Sequence, residues 1–199
     1  MTNRRVLLFG AKGGIGSCLK DQLERDNHVI SVCSDDIDFS NANACELIKD
    51  IIEKNDPDII VNCAGILGDN YSAFSDIFNI NVRANWCILR CYFDREIEKK
   101  VKIIFVGSSS YNSGKKDYML YSSSKAALFN MYEGAKDYFN ESKLIIGLIN
   151  PSRVDTKMIS HLPKNSNNSY LNPKDLAKII KAFIIGLEKS SFINLNNKS

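Results

Sequence analysis

The chain has little of what metal centres, disulfide frameworks and membrane spans are built from. Its 199 residues include only two histidines, His28 and His161. Neither lies near a cysteine, so no zinc site is expected, and each reads as a structural or surface residue. The six cysteines, Cys18, Cys33, Cys45, Cys63, Cys87 and Cys91, contain no Cys-x-x-Cys pair. Disulfides are therefore not expected, and free thiols in a cytoplasmic protein are the default reading. Cys87 and Cys91, one turn apart on a predicted helix, read as buried filler. No apolar run approaches the ~20 residues of a membrane helix. The first apolar strand begins too early for a signal peptide, so neither a membrane partner nor export is expected.

A strong basic bias is also missing. The formal net charge is +3, and the densest lysine clusters are Lys99-Lys100 and Lys115-Lys116. Without a basic stripe interleaved with aromatics, nucleic acid is not an expected partner. Hydrophobic residues make up 44% of the chain and charged ones 25%, ordinary values that fit one domain over residues 1–199. Apolar runs predict strands near 5–9, 28–33, 58–62, 101–107, 144–149 and 192–195. Helical patterns fall between them near 14–25, 42–54, 74–92, 122–140 and 173–188. Alternation of this kind predicts an α/β fold of the Rossmann type, a doubly wound parallel sheet with ligands outside the carboxyl ends of its strands.

The first of those ends carries a glycine turn. Arg4-Arg-Val-Leu-Leu-Phe9 runs straight into Gly10-Ala-Lys-Gly-Gly-Ile-Gly16, and a helix follows with apolar positions at Ile15, Cys18, Leu19 and Leu23. Strand, glycine turn and helix in that order form the context of a dinucleotide fingerprint. Glycines let the backbone approach a pyrophosphate at the helix N-terminus, where free N–H groups favour anions.

The segment Ser108 to Lys125, SSSYNSGKKDYMLYSSSK, is richer still in chemistry. A Tyr-x-x-x-Lys spacing occurs at Tyr111/Lys115, Tyr121/Lys125 and Tyr132/Lys136, and roughly one occurrence is expected by chance. Tyr111 leads into a turn, where four-residue spacing does not bring side chains together. Tyr132 and Lys136 read as an ordinary amphipathic helix surface. Tyr121 alone follows a serine, Ser108, at the end of a predicted strand, Val101 to Val106. On a helix Lys125 lies one turn further along, about 5–6 Å away between Cβ atoms. Its ammonium is expected to lower the phenol pKa toward the range of a general acid/base, while the Ser108 hydroxyl polarises a carbonyl between them.

Taken together, these motifs resemble the short-chain dehydrogenase/reductase family from about Val6 to Met158. The family's Asn-Asn-Ala-Gly motif stands here as Asn62-Cys-Ala-Gly65, and its catalytic asparagine matches Asn81 in Asn79-Ile-Asn-Val-Arg83. The segment after the sixth strand of the family reads Pro151-Ser-Arg-Val-Asp-Thr-Lys-Met158. The resemblance implies a catalytic set of Asn81, Ser108, Tyr121 and Lys125 that moves hydride between NADP or NAD and a small carbonyl or alcohol. Lys125 would also hold the nicotinamide ribose, and Asn81 would anchor a water that relays protons through the lysine. The implied cofactor contacts are Gly10, Lys12, Gly14, Ile15, Gly16, Cys33, Ser34, Asp38, Phe39, Asn62, Ala64, Gly65, Pro151, Val154 and Thr156, together with Tyr121 and Lys125.

Four departures from the family pattern stand out. Cys63 replaces the second asparagine, Ser152 replaces the glycine after Pro151, and only about forty residues follow Met158, which leaves a small lid region. The stretch between the second strand and Asn62 is short, a compression that resembles nucleotide-sugar reductases. That feature, with Arg153 and Lys115-Lys116, keeps open a reductase of a nucleotide sugar or polyol phosphate; a non-catalytic dinucleotide-binding regulator is the other alternative. Cofactor choice turns on the end of the second strand, where NAD-specific relatives carry an aspartate. Cys33 and Ser34 stand there, with Lys12 in the glycine loop, which favours NADP; Asp35 and Asp36 follow closely and speak for NAD. Apolar residues on the helices near 74–92 and 122–140 (Phe78, Trp86, Leu89, Phe93, Leu128, Met131, Phe139) point to a homodimer or homotetramer, since the family pairs through these helices. The Asn-rich stretch from Pro163 to Asn172 reads as a mobile loop in place of a lid.

Overall fold

A computed structural model describes residues 3–160 and 170–195. His161 and residues 163–169 of the expected mobile loop lie outside the described residues. Six strands, β1 (Arg5–Phe9), β2 (His28–Val32), β3 (Ile59–Asn62), β4 (Val101–Val106), β5 (Leu144–Pro151) and β6 (Ser191–Leu195), form a single sheet. All pairings are parallel, in the order β2-β1-β3-β4-β5-β6. The helices are α1 (Gly14–Leu23), α2 (Ala44–Asn55), α3 (Phe74–Phe78), α4 (Ala84–Arg90), α5 (Met119–Tyr138) and α6 (Pro173–Gly186). Each begins or ends within a few residues of the predicted position. Asn172 caps α6 by accepting the Lys174 N–H at 2.8 Å, with Pro173 in the first turn. Among the described residues no helix is long and apolar enough to cross a membrane.

The strands are apolar on both faces because both faces are covered. Leu7, Phe9, Ile60, Ile103, Phe105 and Ile146 point to one side, where α2, α4 and α5 pack. Val6, Leu8, Val61, Ile104, Ile145 and Ile149 point to the other, under α1 and α6. Each such side chain contributes about 1.5–3 kcal/mol by leaving water. The sheet is wound outward in both directions from β1 and β3, so the crevice between their carboxyl ends is where a ligand can enter.

Several details differ from the sequence expectation. The predicted helix 74–92 is interrupted by a π turn, Asn79–Arg83. There the Arg83 guanidinium donates to the Phe39 carbonyl at 3.0 Å and to that of Asn41, while the Asn79 amide reaches Ser40 at 3.4 Å. The turn thus holds the loop after β2. Tyr132 is no surface residue: it is 1% exposed, because Leu128, Tyr132, Ala135 and Phe139 share the face of α5 that meets the sheet. Leu89, Leu128 and Phe139 are likewise covered by the protein's own core, whereas Trp86 is 43% and Tyr138 61% exposed.

The expectation of free thiols also needs correction. Cys45 on α2 and Cys87 on α4 are joined as a disulfide, 42 residues apart in sequence with Cα atoms 5.1 Å apart. Neighbouring spacing carries no sign of such a pair; only the packing of α2 beside α4 makes it. Cys18, Cys33, Cys63 and Cys91 are free.

Two glycines mark opposite extremes of packing. A Cβ on Gly16 would run into the Gly10 carbonyl, whereas one on Gly134, on the exposed side of α5, would meet nothing within 4 Å. Gly16→Ala should lower the unfolding free energy by about 1–3 kcal/mol, and Gly134→Ala should raise it by about 0.5–1 kcal/mol. Urea denaturation of the two variants, compared at unchanged slope, measures both.

Candidate active site

A cavity of about 820 Å³ opens at the carboxyl ends of the strands, within the size range of cofactor and substrate sites. One wall is the turn from β1 into α1. Gly10 there has φ of +74° and lies so close to Ala64 that a Cβ would stand 2.6 Å from its backbone nitrogen. The space is needed because the β3 turn crosses directly over it. Gly14 faces Thr156, whose methyl would stand 2.6 Å from a Cβ. Gly10, Lys12, Gly14 and Ile15 line the cavity from this side, Ala64 and Gly65 from β3, and Pro151, Val154 and Thr156 from the end of β5. Gly16 and Asn62 do not line it; Gly16 packs α1 against the turn, and Asn62 is a buried strut.

Ser108, Tyr121 and Lys125 face the same cavity. Ser108 follows β4 and accepts the Ser110 N–H at 3.1 Å, which fixes a short 3-10 turn. Tyr121 lies in the first turn of α5, and Lys125, 5% exposed, lies one turn further on. The lysine Nζ stands 5.6 Å from the centre of the Tyr121 ring and donates to the Val106 carbonyl at 3.0 Å.

The expected lowering of the phenol pKa is not what this geometry produces. Burial raises the Tyr121 pKa, with a hydrogen bond from Ser108 opposing the rise. Burial also brings Lys125 down to about 8, against the pull of Cys63. Desolvation penalises phenolate and ammonium alike, and the lysine is aimed at a backbone carbonyl.

Asn81 sits behind this group with no solvent exposure, on the π turn. Its Oδ1 accepts the Ile66 N–H at 2.9 Å, and its Nδ2 donates to the Ile66 carbonyl at 2.9 Å and to Ser124 Oγ at 3.0 Å. The Ser124 hydroxyl in turn donates to the Tyr121 carbonyl at 2.7 Å. A second amide, Asn85, continues the chain. It donates to the Asn81 carbonyl at 2.9 Å and accepts from Asn62 Nδ2 at 2.8 Å, and Asn62 Oδ1 accepts the Ala64 N–H at 3.0 Å. Asn85 went unnoticed in the sequence because nothing in its spacing ties it to Asn62, 23 residues earlier.

At the β2 end the cavity is lined by Cys33, Ser34, Asp38 and Phe39. Asp38 accepts the Ser40 N–H and hydroxyl at 2.9 and 2.7 Å, which holds its carboxyl below the usual range. Asp35 and Asp36 are not part of the lining. Asp36 turns back onto the Cys33 N–H and thiol at 2.8 and 2.9 Å, and Asp35 pairs with Lys12. The hydrogen bond with Asp35 raises the Lys12 pKa, so this cation at the mouth is fully charged at neutral pH. The far end adds residues that were not among the expected contacts, Leu67, Tyr118 and Met158 among them. Among the described residues no group of three or more His, Cys, Asp or Glu side chains is placed to hold a metal.

Comparison with known proteins agrees with this geometry. The short chain dehydrogenase family profile matches residues 5–167. The NADPH-dependent pterin aldehyde reductase of Arabidopsis thaliana is 25% identical, over 92% of this chain and 88% of its own. The 3-oxoacyl-(acyl-carrier-protein) reductase FabG of Rickettsia bellii is 25% identical over 97% of this chain and 93% of its own. Among solved structures, a short chain dehydrogenase from Burkholderia cenocepacia J2315 in complex with NADP superposes with a TM-score of 0.82 at 17% identity, covering 98% and 89% of the two chains. A profile match over most of the chain, on a doubly wound sheet with this cavity at its crossover, establishes that the chain belongs to the short chain dehydrogenase family of oxidoreductases.

Proposed function

We propose that the chain reduces a small carbonyl compound to a secondary alcohol, and catalyses the reverse oxidation, with NADP(H) as cofactor. The observation that carries this reading is the convergence of Ser108, Tyr121 and Lys125 on the cavity that the glycine turn opens into. The residues fit a dinucleotide. A crowded turn without Cβ atoms lies at a helix N-terminus, the β2 end offers a slot between Ser34 and Phe39, and Val154 and Thr156 line the nicotinamide end. When bound, the reduced nicotinamide supplies the hydride, two electrons and one hydrogen.

Ser108 donates to the substrate oxygen and orients it, and Tyr121 delivers the phenolic proton to that oxygen as the carbon is reduced. Lys125 stabilises the phenolate left behind. For that its Nζ must swing from the Val106 carbonyl toward ribose and phenol. Asn81, gripping Ile66 and Ser124, keeps the two walls in register and anchors the water through which Lys125 exchanges protons. In the alcohol direction Tyr121 accepts the proton instead. Tyr121→Phe should reduce kcat for carbonyl reduction by at least about 10²-fold, the usual contribution of a positioned general acid. NADPH affinity, followed by nicotinamide fluorescence, should stay close to wild type. Retained turnover would remove Tyr121 from the mechanism.

The preference for NADP(H) over NAD(H) is supported by Lys12 at the cavity mouth, by Cys33 and Ser34 in its wall, and by Asp36, which turns back onto Cys33. A 2′-phosphate would meet a hydroxyl and, by taking Lys12 from Asp35, a cation; the one described carboxylate in the lining, Asp38, is bound to Ser40. Lys12→Ala should weaken NADPH by about 10-fold, the scale of a charged hydrogen bond at an exposed site, and leave NADH almost unchanged. Equal weakening of both in a titration would reverse the preference.

A homo-oligomer, dimer or tetramer, is proposed on the exposed aromatic edge of α4 and α5. There Trp86, Phe93 and Tyr138 contact one another with ring centres 5.2 and 4.8 Å apart. A cytoplasmic location completes the proposal. Light scattering at micromolar protein should return at least twice the mass of one chain, and Trp86→Glu should halve it. A single-chain mass for the wild type would rule the assembly out.

A further inference from the structure

The substrate end of the cavity is electropositive in a way that the reaction does not require. Arg153, two residues past Pro151, lines it beside Lys115 and Tyr118. Burial works against the charge of its guanidinium, and the neighbouring phenols of Tyr118 and Tyr170 favour it. The Tyr118 ring stands edge-on to that of Tyr121, with centres 5.9 Å apart and planes at 77°. The guanidinium is therefore one aromatic ring removed from the acid/base.

Its backbone is held as well. The Arg153 carbonyl accepts the Leu171 N–H at 2.8 Å, the Asp155 N–H donates to the Leu171 carbonyl at 2.9 Å, and Val154 and Leu171 form a parallel bridge. Lys115 Nζ donates to Ser113 Oγ at 3.0 Å. Phenols and a serine hydroxyl are neutral partners and leave both positive charges in place. Among the described residues of the lining, the one carboxylate is Asp38, which belongs to the β2 end and is bound to Ser40. A pre-oriented, permanently charged fork beside aromatic hydroxyls matches an oxyanion, which it can take with two parallel hydrogen bonds.

We propose that Arg153, assisted by Lys115, recognises an anionic group carried by the carbonyl substrate. The substrate class is then oxo acids or phosphorylated carbonyl compounds, not neutral ketones. The inference rests on the reading of Tyr121 as the acid/base, because the anion is placed relative to that residue. Arg153 acts as a specificity residue and takes no part in the hydride or proton steps.

The test compares matched pairs with NADPH: 4-oxopentanoate and 5-oxohexanoate against their methyl esters, and dihydroxyacetone phosphate against dihydroxyacetone. The anionic member of at least one pair should exceed its neutral partner in kcat/KM by roughly 10- to 100-fold, mostly through KM, as for a charged hydrogen bond. The pair that responds tells carboxylate from phosphate. Arg153→Gln, which can still bond both phenols, should erase the preference, and Arg153→Lys should restore part of it. A preference that survives in Arg153→Gln, or equal rates for both members of every pair in the wild type, overturns the inference while leaving the reductase reading intact. A rise in the KM for NADPH alone in Arg153→Gln would assign the residue to the cofactor and likewise overturn it. If the wild type reduces none of these carbonyls, neutral ones included, the reductase reading fails and this inference with it.

Discussion

The side-chain amide of Asn81 is the tie on which the site depends. It is fully buried, so each of its polar atoms must find a partner or cost about 1–3 kcal/mol. It finds them on two different pieces of the chain: both backbone groups of Ile66 and, through Ser124, the first turn of α5. A requirement of solvation thus becomes a requirement of position. The loop after β3 and the helix bearing Tyr121 cannot drift apart without stranding an amide in the interior. The π turn is the local consequence, since the widened backbone at Asn79–Arg83 surrounds the residue that makes these bonds.

Around that tie the electrostatics sort by distance from the β2 end. Carboxylates there are turned away or held by neighbouring hydroxyls and thiols, while the opposite end presents Lys115 and Arg153 to the cavity. Between them lie two groups whose charged forms burial disfavours, a phenol pushed up and an amine pulled down to about 8. Burial thus favours the protonated phenol and the neutral amine.

Much of this was legible in the sequence because it is local. The apolar runs of the strands, the glycine turn directly after β1 and the one-turn offset of Tyr121 and Lys125 depend only on residues near one another in sequence. What escaped depends on packing between distant segments. The Cys45–Cys87 pair and the Asn62–Asn85 contact form only when helices and strands far apart in sequence meet. Tyr132, four residues from Lys136, reads as part of an amphipathic helix surface, yet it lies on the inward face of α5. The shift at Tyr121 takes the opposite sign from the spacing argument, because spacing measures proximity and says nothing of lost water.

The grip of Arg83 on the loop after β2 has a wider consequence. The sheet ends at β2 on that side, so no further strand supports residues 33–43. A single guanidinium at the end of the π turn takes the place of that support by holding the Phe39 and Asn41 carbonyls. Arg83 stands two residues from Asn81, so one π turn carries both the grip on the loop after β2 and the amide that ties the loop after β3 to α5. Linkage is reciprocal: a ligand that tightened one of these loops through the turn would itself be held more tightly by whatever tightened the other.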